Sequence, residues 1–252
     1  MKKQTKNNIK GQLCSISGSN YEKTIFKIVT KCVLNDKKFN TQAITELGNS
    51  KSINDIQCNF NTKNDIGIEI KKFKTPDWMQ CSIKYNFETN KWESSKNGKI
   101  PKECSQLFNK LINNINLYDD DIPPFIEKKI THEEWLSIKK KTKKWNDVYV
   151  DIPNDTIKKM YNYKKCQYIQ ISDGYGLYHL GDDICKFNVP EFIIEQQLRI
   201  RTKIHSKKDK NGFCKLSIIA ACQPKNIKLL EKSNYSLDDD KRLPINIIYP
   251  DK

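Results

Sequence analysis

Residues 53–73 read INDIQCNFNTKNDIGIEIKKF, and their pattern decides the fold. Two alternating runs flank a polar centre at Asn61-Thr62-Lys63. Paired antiparallel with the turn centred on Thr62, the runs place Ile56 against Ile68 and Cys58 against Ile66, with Ile70 extending the same face. Side chains alternate along a strand, so this face is apolar and belongs to a core. The opposite face carries Asp55, Gln57 and Asn59 on one strand and Glu69 and Lys71 on the other.

Outward from this hairpin, residues 20–33 show helical spacing, with Ile25, Ile28, Val29 and Cys32 on one stripe. A second short helix is predicted over 41–47. Residues 79–87 read as a third strand, with a turn at Glu88–Lys91 and a short return strand at Trp92. Residues 101–117 form an amphipathic pattern with Pro101 near its first turn. The run Tyr118-Asp119-Asp120-Asp121-Ile122-Pro123-Pro124 is a loop and the expected subdomain boundary. Thr131 followed by Glu134 has capping-box form and opens a helix to about residue 145. A further helix is expected over 154–165, a hairpin over 167–180 around Asp173-Gly174, and strands over 198–205 and 213–221. Strands grouped together favour an α+β fold over a doubly wound one.

The net charge is +15 and the pI about 9.3, an excess that suits a polyanionic partner. Part of it reflects a general overuse of lysine. The nine cysteines form no CxxC and no zinc-spaced cluster, so free thiols in an intracellular, reducing setting are expected. The first residues, MKKQTKNNIKGQ, lack an apolar signal-peptide core and read as a basic flexible tail over 1–12. No apolar run is long enough to span a membrane. Residues 13–252 are then one domain.

Asp55 and Glu69 face each other across the hairpin, with Cβ atoms expected about 4.5–5.5 Å apart. Opposed carboxylates are unfavourable unless a cation compensates. Mg²⁺, held by one or two carboxylates plus water and phosphate, would do so. Lys71 stands beside it, placed to orient or deprotonate a water or to stabilise charge on phosphorus.

Asn54-Asp55 followed by Glu69-Ile70-Lys71 resembles the PD-(D/E)xK nuclease superfamily, to which most type II restriction endonucleases belong. Asn54 stands where the motif nominally has Pro, and Pro76-Asp77 has no acidic-x-Lys on a plausible partner strand. The resemblance implies a restriction-endonuclease-like core of helix, three strands, helix and strand, here a catalytic core over 13–118. It implies Mg²⁺ as cofactor, with Mn²⁺ able to substitute, and Asp55, Glu69 and Lys71 at the site. It adds Glu22 as an acidic residue of the first helix joining the metal, and Gln80 as an assisting group. It further implies double-stranded DNA as substrate, a homodimer, and no nucleotide cofactor.

Residues 130–252 are then the DNA-recognition part. The strand 198–205 turns Arg199, Arg201, Lys203 and His205 to one face, and two of only three arginines in the chain stand there. The planar arginine fork suits phosphate or guanine. Lys140 and Lys144, on a basic run beside Trp135 and Trp145, are candidate phosphate contacts. The leading reading is a sequence-specific DNA endonuclease. The alternatives are a structure-specific repair or recombination nuclease and an inactive DNA-binding protein on a nuclease fold.

Overall fold

The computed structural model describes residues 6–34, 37–38, 40–42, 55–59, 66–75, 77–95, 100–208, 211 and 213–249. In chain order the elements are α1 (Lys6–Val29), β1 (Val33–Leu34), β2 (Lys37–Lys38), β3 (Asn40–Gln42), β4 (Ile56–Asn59), β5 (Ile66–Lys71), β6 (Met79–Asn86), β7 (Lys91–Ser94), α2 (Lys102–Asn113), α3 (His132–Lys141), β8 (Val148–Ile152), α4 (Thr156–Tyr163), β9 (Cys166–Ile171), β10 (Gly176–His179), β11 (Gln196–Lys208), β12 (Cys214–Pro224) and β13 (Ile247–Ile248). The class is mixed α+β, and the chain divides into two compact units. The first comprises residues 1–76, 154–195 and 225–252, the second 77–153 and 196–224.

The first unit is built on a mixed sheet of order β10-β9-β5-β4-β3, with a small sheet β13-β1-β2. β4 and β5 pair in the register expected from the sequence, Ile56 against Ile68 and Cys58 against Ile66. β5 is the central strand and is buried on both faces. Ile66, Ile68 and Ile70 pack with Ile25, Val29 and Cys32, together with Tyr168, Leu177 and Phe187. Fully burying an isoleucine contributes about 1.5–3 kcal/mol, so this cluster fixes which way Glu69 must point. β9 runs parallel to β5, and parallel neighbours require a crossover connection. The last part of that crossover is α4, whose Ile157, Met160 and Tyr161 are buried at helical spacing.

The hairpin β9–β10 turns at Asp173 (φ +60°) and Gly174 (φ +81°), both left-handed as a type I′ turn demands. Gly176 (φ +96°) follows, and a Cβ there would collide with the Tyr235 carbonyl oxygen. That close approach is the C-terminal segment lying along β10: Leu177 N donates to Tyr235 O and Ser233 N to Tyr175 O, each at 2.8 Å. Gln170 anchors the same segment, accepting from Leu237 N (2.9 Å) and donating to Ser236 Oγ (2.8 Å).

The second unit is an antiparallel sheet of order β7-β6-β12-β11-β8. Met79, Cys81, Ile83, Leu198, Ile200, Ile218, Ala220 and Cys222 are buried, as are Cys104, Phe108 and Ile112 of α2. Asn109 on α2 accepts from Ser94 N of β7 at 2.7 Å. α3 carries the expected capping box, with Glu134 N donating to Thr131 Oγ1 and Thr131 N to Glu134 Oε2.

Three local expectations change. Thr41 and Gln42 lie in β3 rather than in a helix, and residues 43–47 fall outside the described residues. The backbone is helical from Lys6, so residues 6–12 continue α1 instead of forming a tail. The division between units does not fall at 118–130. β6 and α2, expected inside a core over 13–118, belong to the second unit, while α4 and β9 belong to the first. Alternation along a strand reveals its faces but not its partner, and β5 takes its second neighbour from about a hundred residues downstream. Among the described residues, no helix is long and apolar enough to cross a membrane. Cys32, Cys81, Cys104, Cys166, Cys185 and Cys222 are free thiols, as expected.

Candidate active site

The site lies in the first unit, on the face of β5 opposite Ile68 and Ile70. Glu69 is its centre and is 1% exposed. Lys71 Nζ lies 2.6 Å from Glu69 Oε1 and 3.8 Å from Asp55 Oδ2. Asp55 immediately precedes β4, and its Oδ2 accepts a hydrogen bond from Ile70 N at 2.8 Å. The structure therefore brings together Asp55, Glu69 and Lys71, the three residues the hairpin pattern singled out.

A second ammonium completes the cluster. Lys164 follows the last turn of α4, and its Nζ lies 2.7 Å from Glu69 Oε2. Cys166, at the start of β9, directs its Sγ to the same oxygen at 3.6 Å. The buried ring of Tyr161 stands between the cations, with Lys71 Nζ 5.7 Å and Lys164 Nζ 5.4 Å from its centroid.

Charge and burial set the protonation of these groups. Burial alone would raise the Glu69 carboxyl, but the Lys71 and Lys164 ammoniums outweigh it and hold the group down at about 2. Burial would lower Lys71, yet Glu69 raises it well above the ordinary lysine range, with smaller help from Tyr161 and Asp55. Both Glu69 and Asp55 thus favour the charged form of Lys71. Asp55 is raised, first by burial and then by Glu69, against the pull of both lysines. Glu22 on α1 is raised to about 7, first by burial and then by Asp55.

Burial thus raises Glu22 and Asp55 despite the nearby lysines, whereas Glu69 has an ammonium against each oxygen. A hard divalent ion would have to use these two carboxyls. Asp55 and Glu22 offer carboxylate oxygens whose crowding such an ion would relieve, and Mg²⁺ needs only one or two protein carboxylates. Among the described residues, no group of three or more His, Cys, Asp or Glu is arranged to hold a metal. Water and substrate would supply the remaining ligands.

Gln80 stands exposed on β6 of the second unit, whereas the residues around Glu69 in its own unit are Asp55, Lys71, Lys164 and Cys166. Lys164 and Cys166 carry no motif that the sequence displays. Only the parallel pairing of β9 with β5 brings them to Glu69.

The candidate DNA contacts lie in the second unit. Arg199 donates from Nε (3.0 Å) and Nη2 (2.6 Å) to Asp147 Oδ2, and from Nη1 to Asp77 Oδ1 at 3.4 Å. Arg201 donates from Nε (3.1 Å) and Nη2 (2.9 Å) to Asp77 Oδ2. Gln223 also donates to Asp77 Oδ1. Both guanidinium forks are thus engaged by carboxylates of this unit, and Asp77 bridges them. Lys203 is exposed. His205 Nε2 lies 3.0 Å from Ser217 Oγ, and burial, then Lys203 and Lys215, hold the imidazole below its ordinary range. Lys140 is exposed near the end of α3. Lys144 pairs with Asp121 and lies 5.8 Å from the Trp145 ring centroid.

Compared with known proteins, the chain matches no family model, no curated protein and no solved structure.

Proposed function

We propose that this protein is a Mg²⁺-dependent endonuclease hydrolysing phosphodiester bonds of DNA. The observation that carries the reading is the meeting of Asp55, Glu69 and Lys71, with one ammonium 2.6 Å from the glutamate and 3.8 Å from the aspartate. The order of elements supports it. With β1, β2 and the second unit's elements β6, β7, α2, α3 and β8 left aside, the first unit offers α1, the antiparallel strands β3, β4 and β5, the helix α4 and the parallel strand β9, a succession that would suit a helix–three strands–helix–strand core. The acidic and E-x-K residues fall beside its second and third strands.

A bound Mg²⁺ would polarise the phosphodiester and acidify a water. Asp55, with Glu22 or Glu69, would hold it. Lys71, 2.6 Å from Glu69, would donate toward the attacking water or the developing negative charge on phosphorus. Tyr161 and Ile169 close the buried side of the cluster and exclude bulk water there. Exposed Lys140 and Lys203 would meet phosphates without reading sequence.

The engagement of Arg199 and Arg201 by Asp77 and Asp147 favours one variant of this reading. The two forks best suited to reading guanine are occupied, which suits a structure-specific nuclease better than a restriction enzyme. Incubating plasmid, branched and single-stranded DNA with the protein in Mg²⁺, in EDTA, and with Glu69→Ala tests both. Discrete plasmid fragments would indicate sequence recognition, and cleavage confined to branched DNA would indicate the structure-specific variant. DNA binding without cleavage on any substrate would overturn the nuclease reading.

A further inference from the structure

We propose that Lys164 stands in for the divalent cation at Glu69, so that ion binding is a competition the lysine must lose. This inference rests on the nuclease reading above. Lys164 Nζ is 2.7 Å from Glu69 Oε2, while Lys71 Nζ holds the other oxygen at 2.6 Å. Each oxygen of Glu69 thus has an ammonium against it. Lys71 is one residue from Ile70 and two from Glu69 on the same strand, so its position is set by β5 itself. Lys164 reaches the site from another element, the residue after α4, whose backbone N–H is accepted by Met160 O at 3.2 Å. Its ammonium sits at the end of a flexible four-methylene stem, on a residue outside the sheet that fixes Lys71.

The arrangement settles a problem of burial. Glu69 is almost fully buried and ionised, and an uncompensated carboxylate in that position is strongly destabilising. Before an ion arrives, Lys164 supplies the missing charge. When a divalent ion approaches Asp55 and Glu69, ammonium and ion repel each other and contend for one oxygen. Lys164 is therefore a positioning residue that sets how much ion is needed to complete the site. A purely structural role makes the opposite prediction, because loss of Lys164 would leave Glu69 poorly placed and weaken ion binding.

The test is Mn²⁺ binding without DNA, read from the electron paramagnetic resonance signal of the free ion, on the full chain. Wild type, Lys164→Met, Lys164→Gln, Lys164→Arg and Asp55→Ala are compared. Lys164→Met is expected to bind Mn²⁺ several-fold more tightly than wild type. Lys164→Gln, which keeps a donor near Glu69 without the charge, serves if the methionine variant does not fold. Lys164→Arg restores the competing charge and returns the affinity toward wild type. If wild type binds Mn²⁺ through Asp55 and the neutral variants bind no more tightly, the competition is wrong while the nuclease reading stands. If neither wild type nor any variant binds the ion, both fall.

Discussion

Lys164 Nζ lies 2.7 Å from Glu69 Oε2, although 95 positions separate the two residues. Lys71, two positions from Glu69, holds the other oxygen at nearly the same distance. A local pair and a long-range pair thus fix one buried carboxylate between them. The consequences of that clamp, and of the neighbouring carboxyls, can be measured.

Removing the strand lysine should impair the chemistry more than the fold. Lys71→Met is expected to lower single-turnover plasmid cleavage in Mg²⁺ by about 10²–10³, the effect of removing one donor from a developing oxyanion. Its melting temperature should change little, because Lys164 still compensates Glu69. Cleavage at the wild-type rate would remove Lys71 from the mechanism.

Glu22 makes the ion-free protein sensitive to pH. Its folded-state carboxyl is raised from 4.5 to about 7, so the folded protein binds more protons than the unfolded chain in that window. Stability is therefore present below about pH 4.5 and is lost as pH rises toward about 7. Glu22→Gln should abolish that loss and be more stable than wild type above neutrality, by roughly 1–2 kcal/mol once partial exposure is allowed for. Thermal melts in EDTA between pH 4 and 8 would show it. Added Mn²⁺ should narrow the difference by stabilising wild type. A constant difference across the range would show that Glu22 is not the titrating group.

Asp77 is predicted to be a structural centre of the second unit. It is nearly buried, and it bridges Arg199, Arg201 and Gln223. Asp77→Ala would remove the carboxylate that Arg201 bonds and leave Arg199 with Asp147, at a cost of about 2 kcal/mol given their partial exposure. The urea midpoint reports it. Arg201→Ala should destabilise comparably and leave the salt dependence of DNA binding almost unchanged. Lys203→Ala should instead lower that slope by about one phosphate contact with little change in stability. A large slope change for Arg201→Ala would return that arginine to the DNA interface.

Gly176→Ala should fail for two reasons. Its φ of +96° disfavours any side chain, and the new methyl would meet the Tyr235 carbonyl. A loss of several kcal/mol or insoluble protein is expected. Gly174→Asn, at a left-handed position with open space, should be tolerated within about 1 kcal/mol. If both behave alike in denaturant melts, the C-terminal segment does not lie against β10 at Gly176.

The hairpin was legible because its two faces differ so clearly. Alternation put Ile56, Ile66, Ile68 and Ile70 on one face, and a turn centred on Thr62 set the register that placed Glu69 and Lys71 beside Asp55. The capping box at Thr131 was legible for the same local reason. Lys164 was not, because one lysine among many has no signature until its partner is known. The partners of the arginines were not legible either. Their concentration on one strand marks a need for planar forks, and Asp77 and Asp147 meet that need from within the unit.

The parallel pairing of β5 with β9 also governs the order in which the chain can fold. Gly67 N donates to the Gln167 side chain, 100 positions onward. During synthesis, β5 emerges with its isoleucines and its two-sided hydrogen-bonding potential while its neighbour is still unmade. The whole first segment of the second unit follows before α4 and β9 arrive. A strand waiting that long with an open edge is a site for mispairing with other chains. A fragment ending near residue 118 would hold Asp55, Glu69 and Lys71 and still lack the strand that seals them.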